Sequence, residues 1–91
     1  MVVRNIDIIN SFVIGEGEAK SKNLYIDGNK LIYCGTILGE KVKMINGGIH
    51  FKVNATEYSR TTTRIQNTLL MALSNKDIKV FVGIPMGATS L

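Results

Sequence analysis

The 91-residue chain has one cysteine, one histidine and one proline. Nor does it contain an apolar run near the roughly 20 residues that a membrane-spanning helix needs. A lone thiol cannot close an internal disulfide. Cys34 lies in the apolar run Leu31-Ile32-Tyr33-Cys34, which reads as a reduced, buried side chain in a cytoplasmic protein. The N-terminal MVVRNIDIIN carries Arg4 and Asp7 among its apolar residues, a pattern unlike a signal peptide. His50 and Cys34 lack metal-site spacing, and the seven acids are scattered without a close pair on any predicted face. Gly15-Glu16-Gly17 has no convincing strand before it and no Gly-Lys-Ser/Thr after it, so it is no phosphate loop. A Ser59–His50 pair is conceivable, but no third group is evident to orient the imidazole. These shortages argue against an enzyme and imply no metal or cofactor.

What is present suits one small domain, residues 1–91, with 84–91 as a flexible tail. The chain is 45% hydrophobic and 20% charged, unlike a disordered sequence. A core this small is compatible with homo-oligomerisation, though no heptad demands it. The formal net charge is +4. From Lys41 to Arg64, five basic residues (Lys41, Lys43, Lys52, Arg60, Arg64) stand against one acid, Glu57, and such clustering favours an anionic partner.

The predicted architecture is α+β, in the order (α)-β-β-β-α-β: an antiparallel meander packed on one main helix. In NIDIINSFVI (residues 5–14), Ile6, Ile9 and Val13 have helical spacing, while the β-branched content suits a strand. Residues 15–23 read as a loop. Leu24-Tyr25-Ile26 reads as a strand and Asp27-Gly28-Asn29 as a tight turn. Lys30 to Ile45 reads as one long strand or two collinear ones, with bulges or bends at Gly35 and Gly39. Asn46-Gly47 carries a strong type I′ hairpin signal. A two-residue loop there pairs Met44 with Ile49, Val42 with Phe51, Lys43 with His50, and Lys41 with Lys52. The main helix spans about Thr61 to Leu73, with Ile65, Leu69, Ala72 and Leu73 facing the core. A last strand covers Lys79–Ile84, ended by Pro85.

The unusual passage is YSRTTTRIQ, Tyr58 to Gln66. Ser59, Thr61 and Thr62 are all good helix caps. Three consecutive threonines exceed what a cap needs, and threonine is a poor helix former. Flanked by Arg60 and Arg64 at a helix start, these hydroxyls also suit an anion, either a phosphate or an acidic side chain. Tyr58 is placed to stack on a base or to pack under the helix. With Lys41, Lys43 and Lys52 on the preceding hairpin, the cap and the strands are expected to form one basic surface.

The pattern Leu31-x-Tyr33-x-Gly35-Thr36-x-Leu38, followed by Val53-Asn54 and Tyr58-Ser59-x-Thr61-Thr62-x-x-x-Gln66, resembles small proteins encoded by bacteriophages, prophages and other mobile elements. The similarity covers about residues 12–73, including Phe12, Gly15 and Asn23-Leu24. The chain departs from that pattern at Cys34, where an aromatic or small residue is usual, and at Arg64-Ile65, where a Lys-His or Arg-His pair is usual. The resemblance implies a non-enzymatic accessory protein of the host cytoplasm that binds a host or viral macromolecule. A specific version is an inhibitor of a host defence or nuclease complex. A protein partner is expected to meet the basic surface by charge complementarity. The alternative is a nucleic-acid or nucleotide binder using the same residues on phosphates.

Overall fold

Helix α1 (Asn5–Ile14) buries Ile8, Ile9, Ser11 and Phe12 and leaves Ile6 exposed. Residues that suit a strand are helical here, because packing on a second helix and on two strands outweighs the weak propensity of β-branched residues. The computed structural model describes residues 5–15, 20, 23–89 and 91. Residues 1–4 at the N-terminus, Glu16-Gly17 of the glycine pair, and most of the loop after Gly15 lie outside the described residues.

Five strands follow: β1 (Leu24–Asp27), β2 (Lys30–Tyr33), β3 (Thr36–Lys43), β4 (Ile49–Asn54) and, after helix α2 (Arg60–Ala72), β5 (Asp77–Phe81). Their order in the sheet is β1-β2-β3-β4-β5. The first four form an antiparallel meander. The α2 crossover returns β5 parallel to β4, so the sheet is mixed rather than antiparallel, and among the described residues α1 joins α2 on it. The α+β class holds.

Two turns differ from the sequence expectation. The chain reverses at Cys34-Gly35, between the paired residues Tyr33 and Thr36, instead of continuing as one strand. Both turn residues have positive φ, 50° at Cys34 and 81° at Gly35, the backbone of a type I′ hairpin. Cys34 is therefore exposed, not buried. Its apolar flanks disguise the turn, because cysteine is not a usual left-handed residue.

The Asn46-Gly47 turn exists, but its loop has three residues. Gly47 N–H donates to Met44 C=O (3.0 Å), and Met44 N–H donates to Gly48 C=O (2.8 Å). Only Gly47, at 86°, takes positive φ in this loop, as in a turn followed by a glycine bulge. One added loop residue moves the register by one. Lys43 pairs with Ile49, Val42 with His50, Lys41 with Phe51, and Glu40 with Lys52. In a period of two, that slip exchanges the faces of one strand.

The helices cover one face of the sheet. Their core joins Ile8, Ile9 and Phe12 to Leu24, Leu31, Leu38, Phe51 and Val53, and to Ile65, Leu69 and Leu73. Pairing runs Leu31 to Gly39, then Ile32 to Ile37, which leaves Leu38 as the bulge residue and turns it into this core. At Gly39 side chains of both helices press on the sheet. A Cβ built there lies 3.1 Å from Leu69 Cδ2 and 3.3 Å from Phe12 Cε2.

The opposite face is covered by the C-terminal segment. Ile32 and Ile37 are buried on that face and lie outside the helix-side cluster. The described residues of 84–91, expected as a flexible tail, carry hydrogen bonds across it. Ile37 N–H donates to Ala88 C=O (2.8 Å) and Gly87 N–H to Thr36 Oγ1 (2.8 Å). Lys30 Nζ donates to Thr89 C=O and Lys52 Nζ to Leu91 C=O.

Candidate docking site on helix α2

The junction between β4 and α2 is a polar knot. Asn54 is fully buried. Its Nδ2 donates to Ile37 C=O (2.8 Å) and to Tyr58 Oη (2.9 Å), and its Oδ1 accepts from Thr56 N–H (3.0 Å). Tyr58 Oη in turn donates to Ile84 C=O (2.6 Å). Gln66, also buried, donates through Nε2 to Asn54 C=O (2.7 Å) and Thr56 C=O (3.0 Å). Thr56 Oγ1 accepts from Ile84 N–H (2.9 Å). Buried polar groups of this kind are stable only when satisfied.

Much of YSRTTTRIQ is consumed by this knot and by the cap. Ser59 is the N-cap in extended backbone, and its Oγ accepts from Thr62 N–H (3.2 Å). The Ser59 and Thr62 hydroxyls lie 3.0 Å apart, and Thr62 is buried. Tyr58 is tied down through its hydroxyl, so its ring packs at the junction. What remains outward is Thr61, Arg60 and Arg64, all exposed. Arg60, Thr63, Arg64 and Asn67 share one helix face by their i, i+3, i+4, i+7 spacing. With Glu57, Tyr58 and Ser59 they line a depression of about 530 Å³. Glu57, Thr63 and Asn67 were not among the residues expected at the site, although the last two follow from the spacing once the helix is placed.

Arg60 opens the helix, and the first turn holds no acid. A cation there opposes the helix dipole, at a cost of about 0.3–1 kcal/mol. The capping hydroxyl already occupies the Thr62 amide, so the feature facing solvent is the arginine pair rather than a phosphate-sized cradle of amides.

The three lysines do not join this surface. Lys41 pairs with Phe51 on the helix-covered face, and its Nζ sits 5.7 Å from the Phe12 ring and 5.8 Å from the Phe51 ring. Those two rings meet edge to face at 5.8 Å. Lys41 thus caps the open margin of the core with its stem and a cation–π contact. Lys43 is on the same face but opposite Ile49, five residues along β4 from Asn54 and so about 17 Å from the α2 end of that strand. Lys52 points the other way, beneath the C-terminal segment. The expected single basic surface is therefore split by the sheet, a direct result of the one-residue register change.

His50 lies opposite Val42 and beside Asp77 of β5, and Ser59 is committed to the cap. Among the described residues, no group of three or more His, Cys, Asp or Glu could hold a metal ion. Nor, among the described residues, is any helix long and apolar enough to cross a membrane. Tyr33, beside the Cys34 turn, has its phenol held above the ordinary range, first by desolvation and then by the neighbouring thiol. No protein-family model, no curated protein and no solved structure matches this chain.

Proposed function

We propose that this protein is a non-enzymatic binding module that docks on an acidic surface of another protein through the Arg60–Arg64 face of α2. One observation carries the reading. Arg60 is exposed at the helix end where a cation is disfavoured, four residues from a second exposed arginine, above a junction whose other polar groups are satisfied internally. A residue that weakens its own helix without an internal compensation fits a role toward a partner, since proteins break local rules at functional sites. Two guanidiniums on one rigid helix face suit carboxylates, which they can grip with paired hydrogen bonds. The resemblance of residues 12–73 to phage and mobile-element proteins supports an accessory role in a host cell. Blocking a host defence or nuclease complex is the specific form of that role.

The test is capture of a partner from host lysate, with and without nuclease treatment, by the wild type and by Arg60→Glu/Arg64→Glu. The expected result is a nuclease-resistant partner whose capture the reversal abolishes. Thermal stability should hold or rise slightly, because an acid at the first turn suits the dipole. Capture unchanged by the reversal rules the face out. Capture lost on nuclease treatment, or by salt alone with generic DNA or RNA, assigns the arginines to phosphates instead.

A further inference from the structure

The far edge of the sheet is open. Among the described residues β5 has a single neighbour, β4, whereas the other edge strand, β1, is bridged by Lys20 at Tyr25. Phe81 C=O accepts from Ala55 N–H (2.7 Å), directing the Phe81 backbone toward β4. Backbone groups alternate along a strand, so Asp77, Lys79 and Phe81 point inward, and Ile78 and Val80 present free N–H and C=O groups outward.

The same two residues have uncovered side chains. Ile78 and Val80 pair with Phe51 and Val53 on the helix-covered face, yet they remain 37% and 52% exposed. Ile49, the next residue along that face of β4, is 43% exposed. An edge with unpaired backbone and an apolar flank is a template for strand addition.

We infer that β5 pairs antiparallel with β5 of a second copy, about a two-fold axis through Ile78. The choice of register follows from charge. Centred on Ile78, Asp77 lies opposite Lys79 of the second copy and Lys79 opposite its Asp77, giving two cross-strand ion pairs on the outer face. Ile78 then meets its equivalent as a hydrogen-bonded pair. Centring on Lys79 sets two lysines against each other, and centring on Val80 leaves Asp77 against Gly83. An edge lysine ordinarily blocks pairing; here an acid two residues earlier answers it. The symmetry is isologous, because each contact occurs twice. The product is a continuous ten-stranded sheet with both α2 helices on one side. The arginine face of α2 is not used in it.

Sedimentation equilibrium or light scattering over a range of concentrations tests the inference. The wild type should dimerise. Asp77→Lys or Lys79→Asp should each weaken the dimer about tenfold or more, because two pairs turn from attraction to repulsion together. The swap Asp77→Lys/Lys79→Asp should restore it. Using both single variants guards against one folding poorly, and circular dichroism confirms that each is folded. A wild type monomeric at all concentrations overturns the inference, as does a dimer indifferent to the single changes or a folded swap that fails to recover.

Discussion

Cys34 has a left-handed backbone, φ 50°, at the first position of a type I′ turn. Its backbone N–H donates to Asn23 C=O, a bond that does not depend on the side chain. Asparagine adopts this conformation more readily than cysteine. Cys34→Asn should raise stability by about 0.5–1 kcal/mol, read as a higher midpoint in chemical denaturation with an unchanged slope. It should also lower the Tyr33 phenol toward its ordinary range in a spectrophotometric titration, since the thiol is one cause of the upward shift. Nothing in LIYCGTIL announces the turn except Gly35. A strand reading was natural there, because every other residue of that stretch suits a buried strand.

At the scale of elements, α2 is joined to the sheet by Gln66 as much as by its apolar stripe. Gln66 supplies the donors for Asn54 C=O and Thr56 C=O. Gln66→Ala leaves both carbonyls without that partner in a buried setting, at a cost of about 2 kcal/mol. For a domain of this size the melting temperature should fall by roughly 10 °C. A fall of only one or two degrees would mean that water replaces the amide. The sequence marked this passage as unusual for its hydroxyls and arginines. The reason lies largely in the junction: Tyr58, Ser59, Thr62 and Gln66 answer donors and acceptors within the protein, while Arg60, Thr61 and Arg64 stay exposed. Sequence spacing could not separate these roles, because hydrogen-bond partners such as Ile84 and Ile37 are remote along the chain.

At the scale of the whole molecule, the chain covers its sheet twice, with helices on one face and its own C-terminal segment on the other. Truncation before Ile84 uncovers Ile32 and Ile37 and frees Thr36, Thr56 and Tyr58 from partners in the segment. The truncated protein should lose about 3 kcal/mol or more and bind a hydrophobic dye, from exposed apolar area and unmet polar groups together. Unchanged stability would show that the segment rests on the face without supporting it.

Local signals were sufficient for much of this fold. The stripe Ile65, Leu69, Leu73 defined α2, and Gly28 and Gly47 marked two of the turns. Each depends on contacts or conformations within a few residues, where sequence spacing equals spatial spacing. Only the tertiary structure decided the register of β3 against β4, the parallel return of β5, and the cover provided by the C-terminal segment. One extra loop residue moved Lys41 onto the aromatic margin of the core and left Lys52 on the opposite face. The basic surface read from composition was divided, and the arginine pair on α2 was left standing alone. Charge along a chain is local, but the face on which a charge lies depends on pairing between distant strands.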